Sequence, residues 1–240
     1  DGVDDVVKAV REQIHKGSDL VKIMATGGVM TPGVNPEDAH YSAAEIAAGI
    51  AEATRFNKST ASHAQGAAGI LNATLGGVTS IEHGIFMDDE CCQAMLERGT
   101  YLVPTLAALA NILDNADKGI PDYVVEKSQR CAEQHRNAIQ MFYKAGGKIA
   151  LGTDAGTPFN YHGENAQELR YMVDNGIAPI DALRFGTSAA ADLLRLDDRG
   201  ILREGLAADM LIVRGDPTAD ISMAADKANH LAVVKNGTLI

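Results

Sequence analysis

Five alternations of an apolar strand with a helical run, four polar residues closing four of those strands, and a switch to hairpin-forming sequence near residue 196 predict an α/β chain. The expected architecture is a (β/α)8, TIM-type barrel followed by a small C-terminal β segment. The polar strand ends are Lys22, His63, His83 and Asp154. They favour a closed barrel over an open doubly wound sheet, because only closure gathers four strand ends around one point. That point is the C-terminal face, where such barrels place their chemistry.

The elements follow in order. Residues 3–16 form a charged amphipathic helix stopped by Gly17, and 18–24 form the strand of Lys22. Two prolines and a glycine make 31–38 a loop. Ser42 and Glu45 form a capping box that starts an Ala-rich helix running to about Asn57. The His63 strand (60–63), a helix over 67–75 ended by Gly76 and Gly77, and the His83 strand (78–83) come next. A short helix (89–97) stops at Gly99 before a strand over 100–105, and 106–121 reads as a looser stretch. A long helix covers 122–145, the Asp154 strand covers 148–154, and helices fall near 164–174, 179–185 and 188–195. The tail, with strands over 200–213 and 230–240 and an Asn236-Gly237 turn, is a β appendage. The expected domains are therefore 1–195, a partial barrel, and 196–240.

A chain of 240 residues with 46% apolar and 22% charged residues suits one large globular domain with a sizeable core, or such a domain plus an appendage. The net charge of −11 argues against nucleic acid or an anionic membrane as partner. No apolar run approaches the roughly 20 residues needed to span a bilayer. The three cysteines make no disulfide framework, and Cys91 and Cys92, in the helical run 88–97, are expected to be packed thiols. Asp1 opens directly into a helix without an initiator Met, so the start reads as a cut. A cytoplasmic setting is the default expectation, and homo-oligomerisation is compatible with the sequence.

The four strand-end residues carry the functional argument. Lys22 lies between Val21 and Ile23, and a bare ammonium is costly to bury, so it is expected to be paired, neutral, modified or turned toward the barrel mouth. His63 and His83 lie about one βα unit apart. One histidine at a strand end is usually structural, whereas two on successive strands make ligation of a metal by neutral imidazoles credible. Asp154, alone, would be a turn residue in Gly152-Thr-Asp-Ala-Gly156; with the other three it points to a metal-centred site. His162, on the loop beyond Asp154, is a candidate substrate contact, while Tyr101 reads as packing and His135 as a solvated helix residue. Gly27-Gly28 is followed by no Lys-Ser or Lys-Thr, which excludes a phosphate loop. Two other classes remain: a Schiff-base lyase with Lys22 as nucleophile, which gives the histidines no work, and an inactive fragment.

Four motifs, Val21-Lys-Ile-Met-Ala-Thr-Gly-Gly28, Ser62-His-Ala-Gln-Gly66, Ser80-Ile-Glu-His-Gly84 and Gly152-Thr-Asp-Ala-Gly156, resemble the amidohydrolase superfamily, as does the tail text from Gly205 to Pro217. The likeness is specifically to the imidazolonepropionase-like and Xaa-Pro dipeptidase or carboxypeptidase branch. It implies a binuclear hydrolase of amide bonds in dipeptides or N-acyl amino acids, or, alternatively, of a cyclic amide. It further implies two divalent ions, expected to be Zn, bridged by a carboxylated Lys22. His63 and His83 would serve the second ion and Asp154 the first, with Asp154 also shuttling the proton of a bridging hydroxide. The superfamily's His-x-His pair is missing from this sequence, and the visible strands correspond to the last five of eight. The chain is thus expected to be the C-terminal part of a longer enzyme. By itself it is expected to bind at most one metal and to hydrolyse little.

Overall fold

The computed structural model describes residues 2–240. It begins with α1 (Gly2–His15), β1 (Leu20–Met24), α2 (Ala43–Arg55), β2 (Ser59–Ala64), α3 (Ala67–Gly76) and β3 (Ser80–His83). There follow α4 (Asp89–Arg98), β4 (Tyr101–Val103), α5 (Leu106–Asp114) and α6 (Asp122–Lys144). Then come α7 (Gln167–Asp174), α8 (Pro179–Phe185), α9 (Ser188–Leu193), β5 (Met210–Val213) and α10 (Ser222–Ala225). A 3-10 turn (Lys227–Asn229), β6 (His230–Lys235) and β7 (Thr238–Leu239) close the chain. Two units are distinct: the residues up to Pro104 with Ile112–Lys148, and Thr105–Asn111 with Ile149–Ile240.

In the first unit β1, β2, β3 and β4 lie side by side in sequence order, all parallel. Each crossover carries a helix, as parallel pairing requires. The capping box at Ser42 forms as the sequence predicts: its hydroxyl accepts from Glu45 N while the Glu45 carboxylate accepts from Ser42 N. Asp88 caps α4 through Cys91 N. The left-handed backbone at Gly77 and Gly99 ends α3 and α4, a conformation that costs glycine little. In β1, Val21 and Ile23 are buried, whereas Leu20, Lys22 and Met24 are exposed on the opposite face. Lys22 is therefore not enclosed: strand alternation turns it away from the face that buries its two apolar neighbours.

Three expectations are corrected. Residues 148–154 form no regular strand. Lys148 O still accepts from Leu102 N of β4, but the pairing stops there, and Leu151 N donates to the carbonyl of Phe185 at the end of α8. The stretch after β4 is not loose but holds α5, whose first free amides, those of Leu106 and Ala107, donate to the Glu168 carboxylate at 2.7 and 2.8 Å. In the tail, only Met210–Val213 of the segment 200–213 is strand. It pairs antiparallel with β6, and the Asn236-Gly237 turn, both residues left-handed, returns β7 onto β6 as the sequence predicts.

Candidate metal and catalytic site

His63 is the fifth residue of β2 and is buried. Its Nε2 lies 2.9 Å from the carbonyl of Gly27. A carbonyl can only accept, so Nε2 carries a proton. A metal-binding histidine is typically oriented in this way, by a backbone carbonyl holding its other N–H. The two glycines after β1 make the approach possible. A Cβ on Gly28 would stand 3.2 Å from His63 Cε1, and one on Gly27 would strike the Asn35 carbonyl. Close packing, and not phosphate binding, accounts for the pair.

His83 reaches His63 by breaking the rule of its strand. The register pairs His63 with Glu82 and Ala64 with His83. Regular alternation would therefore turn His83 to the face opposite His63. Instead, His83 has φ 74°, and Gly84 N donates to the Glu82 carbonyl across it at 3.1 Å. These are the marks of the rare, strained γ-turn. For a residue with a Cβ, such backbone costs on the order of 1–3 kcal/mol. The result is that the His63 and His83 rings meet edge to face with centroids 4.7 Å apart. Burial first, then the neighbouring charges of His63, Lys22 and His135, hold the His83 imidazole well below its ordinary range. It is neutral at physiological pH, the form that ligates a metal.

The first unit thus brings Lys22, His63 and His83 into one neighbourhood, and adds His135. That residue is not solvated as expected but buried, on the face of α6 that also carries Val124, Ser128, Cys131 and Phe142. The spacing of these residues was legible as a helical stripe and placed His135 within it. Its ring is hydrogen-bonded to the backbone carbonyls of Pro104 and His83, and desolvation lowers its pKa to about 4.

In the second unit Asp154 is exposed and also left-handed, with φ 54°. Its carbonyl accepts from Asn160 Nδ2 at 3.1 Å and from the Thr157 hydroxyl at 3.1 Å. Asn160 is itself buried and reaches Thr153 O at 2.6 Å. The sequence gives no more than Asn160's position six residues on as a hint of this role. His162 is exposed on the same loop. Also within this unit is a cavity of about 410 Å³ lined by Glu164, Arg170, Ser222, Lys227 and His230 among others.

The donor set fits a divalent metal of borderline softness: two touching imidazoles, that of His63 held through Nε2 by the Gly27 carbonyl and that of His83 kept neutral by burial, within charge range of Lys22. Among the described residues no three His, Cys, Asp or Glu side chains gather as a complete cluster. The thiols offer no substitute, because Cys91 and Cys131 are buried and desolvation pushes each up to about 12. No helix among the described residues is long and apolar enough to cross a membrane.

Comparison with known proteins agrees with the motifs. The amidohydrolase family profile matches residues 1–240. The chain is 35% identical over 242 residues to ochratoxinase of Aspergillus niger, covering all of this chain and 50% of that protein. A Xaa-Pro dipeptidase with bound methionine in its active site superposes with a TM-score of 0.92 at 36% identity, over all of this chain and 59% of that one. A prolidase complexed with N-methylphosphonate-L-proline gives 0.93 at 33%, with the same coverage. The chain spans about half the length of the curated relatives it matches. Matched by the family profile from end to end, the chain belongs to the amidohydrolase family.

Proposed function

We propose that the chain carries metal-binding and proton-transfer residues of a metal-dependent hydrolase of amide bonds in small substrates, a dipeptidase of the Xaa-Pro or carboxypeptidase kind. The observation that carries this reading is the pair of touching imidazoles, His63 and His83, the latter kept neutral by burial and within charge range of Lys22. Lys22, His63, His83 and Asp154 would hold two divalent ions, Zn being the best match to the donors, with Lys22 as its carbamate. When bound, such ions polarise a carbonyl and lower the pKa of water. The chain's own residues supply the rest. Gly27 orients the His63 ring, burial keeps His83 unprotonated, and the Asp154 carboxylate takes a proton and passes it to the leaving amine. His162, exposed beyond Asp154, contacts the substrate.

The ligands of the similar structures, methionine and a phosphonate of proline, are both built on amino acids and support a dipeptide substrate. We read residues 1–195 as part of a barrel and 196–240 as part of a composite β-sandwich. Exposed Leu20 and Met24 on β1, and Leu231, Val233 and Leu239 in the tail sheet, support this as faces that further strands would cover.

The test is hydrolysis by the full-length protein, stripped of metal and reloaded with Zn, against Xaa-Pro and Xaa-Met dipeptides, N-acyl amino acids and a cyclic amide. Metal-dependent release of the C-terminal amino acid, lost in Lys22→Ala, is expected. Hydrolysis of the cyclic amide alone would replace the dipeptidase reading with the imidazolonepropionase-type one. A borohydride-trapped carbonyl adduct on Lys22 would overturn both.

A further inference from the structure

We infer that His135, on α6, is a positioning residue for His83: by holding the His83 carbonyl it keeps that strand end in the left-handed turn that brings the His83 ring to His63. The inference rests on the reading of His63 and His83 as metal ligands for its functional consequence, though not for its structural one. His135 is nine-tenths buried or more, and its ring bonds to two carbonyls, those of His83 at the end of β3 and Pro104 just past β4. Its Nε2 has no hydrogen-bond partner. The proton therefore sits on Nδ1, which is shared between the two carbonyls. A buried ring with one unsatisfied nitrogen is an expensive way to fill space, and a leucine of similar volume would fill it without that cost.

The two carbonyls explain the expense. The peptide that carries the His83 carbonyl is the one rotated by the positive φ at His83 and Gly84, at 74° and 64°. Ladder bonds cannot hold it, because the ladder that pairs Ala64 with His83 ends there. Gly84 N anchors the turn from one side, bonding to both Ala64 O and Glu82 O at 3.1 Å. His135 anchors it from the other side and ties it to the neighbouring strand end at Pro104. Without the second anchor, His83 can relax toward ordinary strand backbone, which swings its ring to the opposite face of the sheet.

Three variants of the full chain test this. Asn places its amide nitrogen where His carries Nδ1, Gln places it near Nε2, and Leu offers no donor. With cobalt(II) alone as the probe, His135→Leu and His135→Gln are expected to weaken binding and alter the visible spectrum, by about 10- to 100-fold in affinity as for other residues that orient a ligand. His135→Asn is expected to restore both to within a few-fold of the parent. In metal-free crystals, His135→Leu is expected to show His83 at negative φ. If Leu does not fold, the Asn and Gln pair decides, since both are amides of opposite expected effect. Equal cobalt binding by Asn and Gln, or His83 unmoved at φ near its present value in Leu, would overturn the inference. If the parent itself binds no cobalt, the metal reading fails and the φ of His83 alone decides this one.

Discussion

His83 and Asp154, one in each unit, use the same backbone device and are held in different ways. Both are non-glycine residues with positive φ, at 74° and 54°, and both present a polar side chain where a regular strand would not. Asp154 is held from within its own loop: Asn160 and Thr157, a few residues on, bond its carbonyl. His83 is held from next door by Gly84 on one side, and from a distance by His135 of α6 on the other. A strained backbone persists only where its surroundings over-determine it. The difference teaches that a clamp can be built wholly by a short motif, whereas a strand end entering a crossover draws part of its clamp from a helix distant in sequence. In a parallel sheet the next residues in sequence leave at once for the crossover.

The comparison can be broken by mutation, beginning with the largest effect. Asp154→Asn keeps the loop and its clamp but removes the carboxylate proposed to carry the proton, so turnover by the full-length protein should fall by about 10²- to 10⁴-fold with Tm nearly unchanged. A variant with parental kcat would remove Asp154 from the mechanism. Asn160→Ala does the reverse. It strips the Thr153 and Asp154 carbonyls of a buried donor, which should cost roughly 1–3 kcal/mol by chemical denaturation, with kcat falling less than in Asp154→Asn. Gly28→Ala brings a methyl to 3.2 Å from His63 and should tilt that ring at a cost of about 1–3 kcal/mol, weakening metal binding while leaving the Asp154 loop intact.

A smaller effect separates the two units by pH. Burial raises the Glu168 carboxyl from its ordinary 4.5 to about 8, against the pull of the Ala107 and Leu106 amides. A group that binds its proton more tightly when folded gives its full stability below pH 4.5 and loses it progressively as pH rises to about 8. Tm measured across that window should therefore decline with pH in the parent, and decline less in Glu168→Gln. Identical slopes would mean that Glu168 is ionised throughout, as its two backbone donors alone would favour.

What the sequence disclosed follows the same division. The parallel units, the capping box at Ser42 and the Asn236-Gly237 hairpin are written in local text, because spacing, caps and turn residues act over a few positions. Lys22, His63 and His83 were legible as polar residues ending apolar strands. The left-handed turn at His83 was not, since neither histidine nor the glycine after it distinguishes a γ-turn from a simple strand end. The burial of His135 was available in the stripe of α6 and was obscured by its polar neighbours Gln134 and Arg136. The helix α5 was hidden because its N-terminal amides are satisfied by Glu168, far along the chain, and not by a cap in its own sequence. The irregular backbone over 148–154 reads as a strand from its Ile149, Ala150 and Leu151. Its first residue does bond to β4, through Leu102 N and Lys148 O, but the long-range bond from Leu151 to Phe185 takes the rest out of the ladder.

The central claim is that His63 and His83 are ligands of one metal. The most direct measurement is bound Zn per chain after equilibrium dialysis of the full-length protein, for the parent and for His83→Ala and Asp154→Asn. The account predicts at least one tightly held ion in the parent, loss of an ion in His83→Ala and nearly unchanged occupancy of that ion in Asp154→Asn. A parent with less than about one ion per chain, or a His83→Ala variant that holds as much Zn as the parent, would contradict it.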